Sequence, residues 1–329
     1  MGLSKEYIEN HIATWEQNLS NSRYPWTSHW PSRIFRHDPL ENIAQIIESG
    51  NLLSRNDSVG VRSTDIAARE AVNSTTQPHQ YVRLYFRPRT PTQYHVEGIR
   101  KPGERYQTDK SCLIGLMIFE SRNLLNRNDV MFSNMNMQSS LVLTGNTENF
   151  FAENINFANV YHHGWQGSDS DIRRQRCAEV LLNSPLQITE CLQYIYCRTN
   201  AERETLISML SNGARQKWKD KILVSRDMKL FERKYCFVED VYITATGVII
   251  NLSPREDNAN INLEVTITDT NTGMIPIQFQ NADFRPLPSS GKKGWIFEFE
   301  VQDSVYDVQI KIEGSIGYRS KLRFTALPF

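Results

Sequence analysis

The chain has 329 residues, of which 40% are hydrophobic and 22% charged, and its formal net charge at pH 7 is zero. This length fits two domains better than one compact core, and the composition is typical of an ordinary soluble globular protein. A membrane-spanning protein is excluded because no apolar run approaches the length of a bilayer-spanning helix, and the N-terminus lacks the apolar core of a signal peptide.

Cysteine usage predicts a reducing compartment. The chain has 5 cysteines, an odd number, and none of them forms a C-x-x-C pair. This pattern argues against a disulfide framework and against a structural zinc site. We therefore expect a cytoplasmic protein without a bound metal.

The charge is unevenly distributed along the chain. Residues 235–329 carry 8 Lys and Arg against 12 Asp and Glu, whereas residues 1–234 carry 29 against 25. Basic residues also cluster within the first part, at 33–36, 83–89, 100–101 and 173–176. Such clusters often only solvate a surface, but several in one region favour a polyanionic partner.

Helix and strand signals alternate at the start of the chain. Apolar periodicity predicts a helix over residues 4–19, and a short strand follows at 34–37. The Asp-Pro pair at 38–39 then opens a second helix, which ends at Gly50. A further short helix is predicted over residues 65–72.

Residues 81–94 predict a strand that ends in a rigid cationic turn. Apolar side chains alternate with Tyr and Arg over residues 81–87, as in a strand with one buried face. Pro88 and Pro91 then exclude a regular ladder or helix and predict an extended turn. Because arginine forks bind phosphate oxygens and aromatic faces stack on bases, this turn suits a phosphate-bearing ligand or a nucleic acid strand. The alternative is a buried strand that ends at a solvated turn.

The rest of the chain divides into a mixed part and a β part. The mixed part predicts, in order, a strand at 111–119, a loop at 131–136, a strand at 141–143 ended by 144–146, a loop at 161–171, a strand or strand–helix junction at 176–182, a strand at 188–196 and a helix at 201–218. Beyond residue 234, clean two-residue alternation predicts five or more strands and no helix, as in an antiparallel β-sandwich. This region has no catalytic cluster, so we expect a structural or protein-interaction module.

Three residues outside the turn are candidates for chemistry. His37 lies where a strand leads into a helix N-terminus, which is a natural site for an anion or a ribose. Arg69 on its own is typical of a surface residue. Glu179 lies in an otherwise apolar stretch, where a carboxylate is costly unless it is paired or used.

Taken in order, these motifs resemble the DarT family of ADP-ribosyltransferases, the toxin halves of bacterial toxin–antitoxin systems. The family's strand ending in His, followed by a helix with the Asn-Leu/Ile…Ile…Gly-Leu pattern, is matched at His37, Asn42, Ile43, Ile46 and Gly50. Its Tyr-Val-Pro-Phe-Tyr-Phe-x-Pro-Arg-Ser/Thr-Pro-Met-x-Tyr run is matched at Tyr81, Val82, Tyr85, Phe86, Pro88, Arg89, Thr90, Pro91 and Tyr94. Gly145-Asn146 and the block at 178–181 match two further motifs, and the order holds over residues 33–200.

The chain also departs from the family pattern. The replacements are Pro39 for Thr, Arg83 and Leu84 for Pro-Phe, Thr92 and Gln93 for Met and its neighbour, and Cys177 for Gln. The C-terminal sandwich is not part of the minimal family domain. These changes concern the substrate more than the chemistry.

The resemblance implies an α+β ADP-ribosyltransferase-like domain over residues 1–234, followed by an all-β sandwich-like domain over residues 235–329. It implies that NAD+ is the substrate, that Glu179 is the catalytic carboxylate, and that Arg69 pairs with an NAD+ phosphate or with the developing charge. The implied NAD+ contacts are His37, Asn42, Gly50, Arg69 and Tyr85. The implied acceptor contacts are Tyr81, Arg87, Arg89, Thr90, Tyr94 and His163. No metal is required.

Three hypotheses follow from the sequence. The first is an NAD+-dependent ADP-ribosyltransferase toxin of phage defence that modifies a base of single-stranded DNA, or of mRNA as in a related CmdT-like branch. The second keeps the fold and changes the acceptor to protein or water. The third is a non-catalytic NAD-fold module. The acidic sandwich is expected to bind a protein partner, either an antitoxin that restrains the enzyme or a chaperone, and no membrane partner is expected.

Overall fold

The structure is a computed structural model that describes residues 2–65, 77–106, 108, 111–165, 169–225, 229–288 and 294–325. The chain divides into two units whose segments alternate in sequence. The first comprises Met1–Asp38, Gln45–His95 and Gly115–Tyr196, and the second comprises Pro39–Ala44, Val96–Ile114 and Cys197–Phe329. The division expected at residue 234 stays a prediction. Within the described ranges, no helix combines the length and apolar character that crossing a bilayer requires.

The elements are as follows in chain order. The helices are α1 (Lys5–Ser20), α2 (Leu40–Ser49), α3 (Pro91–Val96), α4 (Ser121–Leu125), α5 (Glu148–Asn154), α6 (Phe157–Val160), α7 (Ser170–Gln175), α8 (Asn200–Met209) and α9 (Asn212–Trp218). The strands are β1 (Arg33–Pro39), β2 (Asn51–Leu52), β3 (Val82–Tyr85), β4 (Ile114–Glu120), β5 (Met131–Ser133), β6 (Thr144–Gly145), β7 (Glu179–Leu182), β8 (Leu186–Gln187), β9 (Leu192–Cys197), β10 (Ile222–Val224), β11 (Phe237–Thr244), β12 (Gly247–Ser253), β13 (Ile261–Asp269), β14 (Ile277–Phe284), β15 (Trp295–Glu298), β16 (Ser304–Ile312) and β17 (Ser315–Phe324).

The main sheet of the first unit has the strand order β9-β4-β1-β3-β7-β5-β6. β3 pairs antiparallel with both β1 and β7. Val82 and Leu84 of β3 are fully buried, which confirms the predicted alternation. The register sets Tyr85 opposite Phe35 of β1 on one side and opposite Glu179 of β7 on the other. The sheet therefore brings the predicted carboxylate next to the aromatic–arginine strand.

The first two helices form for the reasons that the sequence indicates. In α1, Ile8 and Ile12 lie on the buried stripe, and the Ser4 side chain accepts a hydrogen bond from the backbone of Tyr7. The predicted opening of α2 is wrong by about one residue, because β1 continues through residue 39 before the helix begins. Gly50 ends α2 with a φ of +71°, a left-handed conformation that favours glycine.

The extended turn predicted after Pro88 is wrong, because Pro91 begins the short helix α3. Proline fits the first turn of a helix, where its missing N–H has no intrahelical partner to lose. The Thr90 hydroxyl accepts a hydrogen bond of 3.1 Å from the backbone of Gln93, which caps this helix. The predicted rigidity therefore comes from a capped helix rather than from an extended chain.

Two short strands were also mispredicted. The Met- and Asn-rich segment expected to be a loop contains β5, and the strand expected at 141–143 is instead β6 at 144–145. β5 pairs with β7 and β6 pairs with β5, so these strands depend on a neighbour rather than on their own composition.

The helix predicted over 201–218 is interrupted before Ser211, which caps α9. The helix predicted over 65–72 lies outside the described residues beyond its first position.

The C-terminal part of the second unit consists of antiparallel sheets, as predicted. One sheet has the order β11-β12-β15 and the other the order β14-β13-β16-β17. The sheets contact each other through aromatic rings, with centroids 5.2 Å apart for Phe279 and Phe297 and 4.6 Å apart for Phe284 and Trp295. From residue 235 onward, the described residues contain strands and no helix. These contacts favour the predicted sandwich arrangement.

A buried ion cluster stabilises the second unit. The Arg198 guanidinium donates a hydrogen bond of 2.9 Å from Nε to Oε1 of Glu202. It also lies 3.8 Å from a carboxylate oxygen of Glu97. All three residues are almost fully buried. Glu97 also accepts backbone hydrogen bonds from Glu232 and Arg233 at 2.8 and 2.9 Å. Charges this deeply buried are tolerated because each is paired and hydrogen-bonded.

Replacing Glu202 with Ala is expected to lower the free energy of unfolding by about 3–5 kcal/mol, because it leaves Arg198 buried without its closest carboxylate. Urea denaturation measures the change. The matched control is Glu264→Ala, which removes a partly exposed pair with Lys311 at 3.6 Å and should cost about 1 kcal/mol or less. Equal losses in the two variants would contradict this account.

Candidate active site

Glu179 is the first residue of β7 and has no exposed surface. Both of its carboxylate oxygens accept hydrogen bonds from Arg83, at 2.9 Å from Nε and 2.6 Å from Nη2. The backbone N–H of Glu179 donates to the Ser133 hydroxyl of β5 at 3.2 Å. A bidentate arginine–carboxylate pair fixes the orientation of both groups. The carboxylate that stood out in the sequence is thus held rigidly inside the sheet.

Tyr85 completes the immediate surroundings of Glu179. It lies directly opposite Glu179 in the β3–β7 register, and its hydroxyl hydrogen-bonds to the carboxylate. The side chain of Thr92 also hydrogen-bonds to Tyr85. Burial, together with the negative charge of Glu179, raises the pKa of the Tyr85 phenol. Tyr85 therefore stays protonated at physiological pH and donates to the carboxylate.

The His37 ring stacks on the ring of Tyr85. The two rings are nearly parallel, with an interplanar angle of 7° and a centroid distance of 5.6 Å. Burial lowers the pKa of His37 to about 4, and the nearby Arg36 contributes in the same direction while Asp38 opposes it. His37 is therefore neutral at physiological pH, with one nitrogen that donates and one that accepts. Such a ring can hydrogen-bond to a hydroxyl group in either role.

A cleft of about 160 Å³ opens in front of these residues. Its lining consists of Arg36, His37, Leu53, Arg55, Arg62, Pro78, His79, Tyr81, Arg83, Tyr85 and Gln138. Arg36 pairs with Asp38 at 2.6 Å, and Arg55 pairs with Asp65. Arg62 also lines the cleft, and Asp38 and Asp65 act on it electrostatically. The cleft is thus cationic and suits an anionic ligand.

The charge state of Glu179 results from two opposing effects. Burial is the larger effect and holds the pKa of Glu179 above its ordinary value, and the positive charge and hydrogen bonds of Arg83 oppose this rise. Hydrogen bonds from Tyr85 and from the backbone of Met137 also favour the ionised form. An ionised carboxylate next to a cationic cleft can stabilise a developing positive charge and can accept a proton.

The structure brings together several residues of the predicted NAD+ site. His37 and Tyr85 line the cleft, and Glu179 lies directly behind its wall. Tyr81, predicted as an acceptor contact, lines the same cleft. Gly50 lies at the end of α2, where its carbonyl accepts a hydrogen bond of 3.0 Å from the backbone of residue 188. The predicted contacts Asn42 and Arg69 are not among the lining residues: Asn42 is buried on α2, and Arg69 lies outside the described residues. Their proposed roles stay predictions.

Two predicted acceptor contacts are buried. Arg87 is 2% exposed, donates to the carbonyls of Val160 and His162, and stacks over the Trp30 ring at 4.6 Å. Thr90 is 1% exposed and caps α3. These contacts favour a role in positioning the chain around the turn. Direct contact with an acceptor stays a prediction for both residues.

The remaining predicted acceptor contacts lie outside the lining of the cleft. Arg89 has a φ of +55°, and Tyr94 is 40% exposed on α3. His163 packs edge-on against Tyr24 and Trp26, with centroids 4.7 and 4.5 Å away. Burial and neighbouring arginines lower the pKa of His163 to about 3, so this ring is neutral. The exposed ring of Tyr94 suits base stacking.

Sequence reasoning placed Arg83 in a basic cluster and among the departures from the family pattern, but it missed the pairing of Arg83 with Glu179. It also missed Asn136, whose Oδ1 accepts from Arg83 Nη2 at 3.0 Å, and Ser133. One signal was available: Arg83 and Tyr85 are two residues apart and so share one face of a strand. The pairing with Glu179 requires the β3–β7 register, which no local pattern specifies.

A larger cavity, of about 570 Å³, lies elsewhere in the first unit and contains none of the predicted site residues. Its two arginines are already paired: Arg122 binds Glu9 and Glu120, and Arg127 binds Asp129. The smaller cleft is therefore the better candidate site, since it combines cations with the buried carboxylate. Among the described residues, no cluster of three or more His, Cys, Asp or Glu side chains could hold a metal ion.

Comparisons with known proteins were made against families and solved structures. A family model described as "ssDNA thymidine ADP-ribosyltransferase, DarT" matches residues 35–230. A structure of Thermus sp. 2.9 DarT in complex with NAD+ is 17% identical, with 60% of this chain and 97% of that chain covered and a TM-score of 0.47. A structure of Thermus sp. 2.9 DarT in complex with ADP-ribosylated ssDNA is 16% identical, with 60% of this chain and 96% of that chain covered and a TM-score of 0.49. A structure of Thermosipho africanus DarTG in complex with ADP-ribose is 16% identical, with 66% of this chain and 55% of that chain covered and a TM-score of 0.45. No curated protein matches this chain.

Proposed function

The chain belongs to the DarT family of ADP-ribosyltransferases, and on that premise we propose that it transfers ADP-ribose from NAD+ to a base of single-stranded DNA. The observation that carries the proposal is the buried Glu179, hydrogen-bonded to Tyr85 and Arg83 at the wall of a cationic cleft. Thymidine is the acceptor named in the family description. The proposed site needs no metal.

The cleft offers groups for each part of NAD+. Arg62, one of the four arginines that line the cleft, is proposed to bind the diphosphate. The neutral His37 ring is proposed to hydrogen-bond to hydroxyls of the nicotinamide-side ribose. Tyr85 then provides an aromatic face next to His37 against which the nicotinamide ring can rest. Arg69, Asn42 and Gly50 remain proposed NAD+ contacts from the family resemblance.

Glu179 is proposed to act on the reacting ribose. The bond from C1′ to the nicotinamide nitrogen breaks, and its electron pair leaves with nicotinamide. C1′ then bonds to the acceptor base nitrogen, which loses a proton to the carboxylate. An ionised carboxylate stabilises the oxocarbenium-like sugar in between. Arg83 and Tyr85 both line the cleft in front of Glu179, so the ribose is proposed to approach the carboxylate past these two side chains.

The acceptor strand is proposed to lie along the turn after β3 and the segment around His163. Tyr94 is 40% exposed and Trp165 is 87% exposed, so both present faces on which unpaired bases can stack. Arg89 supplies positive charge near His163, as its effect on that pKa indicates. Tyr81, Arg87 and Thr90 complete the proposed acceptor contacts, the last two by positioning the turn.

We further propose that the chain is a cytoplasmic toxin of phage defence that is restrained by an antitoxin. An enzyme that modifies DNA bases needs such control in its own cell. The acidic β part, with 12 Asp and Glu against 8 Lys and Arg, is the proposed surface for the antitoxin or for a chaperone. Binding of a co-expressed neighbouring gene product, measured by co-purification, tests this role.

The acceptor class is tested with the full chain and NAD+ labelled in its adenosine part. Single-stranded DNA, RNA and total protein are supplied in separate reactions. The proposal predicts label on DNA that DNase removes and RNase leaves. Label on RNA would move the acceptor to mRNA, and label on protein would favour a protein ADP-ribosyltransferase. Free nicotinamide without labelled acceptor would favour an NAD+ glycohydrolase.

A further inference from the structure

Arg83, which lines the cleft, donates three side-chain hydrogen bonds. Its Nε and Nη2 donate to the two oxygens of Glu179, and Nη2 also donates to Asn136 Oδ1 at 3.0 Å. Asn136 is itself oriented, because the same oxygen accepts from the backbone of Gln138 at 2.8 Å. The carbonyl of Arg83 accepts from Arg36 Nη1 at 3.0 Å. The guanidinium is thus held by two segments of the first unit, β7 and the segment after β5, and the Arg83 backbone is held by Arg36.

This contact involves a residue at which the chain departs from the family motif. Arg83 stands where the motif of the resembling family has proline, a residue that cannot pair with a carboxylate. We propose that Arg83 is a positioning residue that keeps the Glu179 carboxylate ionised and in one orientation for ADP-ribose transfer. This inference rests on the proposed function, since it assigns Arg83 a role through the catalytic carboxylate.

Among the groups that face Glu179 and are named below, Arg83 carries the positive charge and the others are neutral. From β3 the titratable groups are Arg83 itself and the protonated phenol of Tyr85. The segment before β7 contributes one titratable group, the Cys177 thiol. Burial raises the pKa of this thiol to about 12, so it is neutral. β5 and the segment after it supply the neutral Ser133 hydroxyl and the backbone N–H of Met137. Arg83 therefore opposes the effect of burial on this carboxylate.

The sign of the pH effect follows from this opposition. Burial alone raises the pKa of Glu179, because the charged form loses its hydration. Removing the guanidinium removes the main lowering influence, so the carboxyl group stays protonated up to a higher pH. A protonated Glu179 cannot stabilise the cationic sugar or accept the base proton. The acidic limb of the activity profile should therefore move to higher pH.

The test uses the full chain with Arg83→Gln and Arg83→Lys. The pH dependence of nicotinamide release with NAD+ and single-stranded DNA is measured for each. For Arg83→Gln we expect the acidic limb to move up by about 1–3 pH units, the range that an opposite charge at this distance shifts a carboxyl. Arg83→Lys keeps the charge without the fork and should show a smaller move. Activity of Arg83→Gln should recover in part at high pH.

The matched control is Arg122→Gln. Arg122 makes the same kind of fork to Glu9, at 2.6 and 2.9 Å, but lines the other cavity, so its removal should leave the acidic limb unchanged. An unmoved limb in both Arg83 variants would overturn the proposal. So would higher activity of Arg83→Gln at every pH, which would mean that Arg83 only blocks the carboxylate.

A second measurement is independent of turnover. Carbon-13 NMR of labelled glutamate carboxyls, with the Glu179 signal assigned by its loss in Glu179→Gln, gives the pKa directly in wild type and in Arg83→Gln. A higher pKa in the variant supports the inference, and an equal pKa overturns it. If wild type shows neither transfer nor nicotinamide release, the proposed function fails, whereas an unmoved limb or pKa in an active enzyme rejects only the role of Arg83.

Discussion

Replacing Glu179 with Gln is expected to reduce the rate of ADP-ribose transfer by about 100-fold to 10,000-fold. The amide keeps the shape of the side chain but cannot carry the negative charge that stabilises the sugar cation or accept the base proton. Affinity for NAD+ should change little, because the carboxylate lies behind the wall of the cleft rather than in its lining. Initial rates of labelled transfer and equilibrium binding of NAD+ measure the two effects separately.

The control for this variant is Glu120→Gln. Glu120 also pairs with an arginine, Arg122 at 3.1 Å, but it lies at the end of β4 away from the cleft lining. Its rate should equal that of wild type. The melting temperature of each variant shows whether the fold is retained. A folded Glu179→Gln variant that kept more than a tenth of the wild-type rate would contradict the assigned role.

Substitutions at Tyr85 should separate the hydroxyl from the ring. Tyr85→Phe removes the hydrogen bond to Glu179 and keeps the stack on His37. A hydrogen bond to a charged group contributes about 1.5–3 kcal/mol, so kcat should fall by roughly 10–100-fold with little change in KM. Tyr85→Ala also removes the stacking face, so its KM for NAD+ should rise as well. Steady-state kinetics of nicotinamide release gives both parameters.

An exposed tyrosine provides the comparison for these two variants. Tyr242 on β11 is 41% exposed, and Tyr242→Ala should leave kcat and KM unchanged. Identical kinetics for Tyr85→Phe and Tyr85→Ala would show that the ring has no part in binding NAD+. A Tyr85→Phe variant as active as wild type would show that the Tyr85 hydroxyl does not contribute to catalysis.

Secondary structure was predictable where a segment carries its own signal. The alternation of β3 and of β13 is visible in the sequence because one face of each strand is buried. β5 and β6 were missed because they have 3 and 2 residues and exist by pairing with neighbours. The helix at Pro91 was missed because a proline that breaks a helix interior also suits a first turn.

The candidate site was predictable in its chemistry and not in its pairing. Glu179 stood out because a carboxylate in an apolar stretch needs a reason, and the structure gives that reason as the fork with Arg83. The partner could not be found from sequence, since residues 83 and 179 meet only through the β3–β7 register. Conversely, Arg87 looked like a ligand contact, but its burial against Trp30 and two carbonyls is a matter of tertiary packing.

The most direct test of the central claim is the stoichiometry of a single reaction. The full chain is incubated with NAD+ and a short single-stranded oligonucleotide, and mass spectrometry of the oligonucleotide is compared with the nicotinamide released. The account predicts one ADP-ribose added to the oligonucleotide for each nicotinamide released, with both products absent in Glu179→Gln. Nicotinamide release without an adduct, or equal adduct formation by Glu179→Gln, would contradict it.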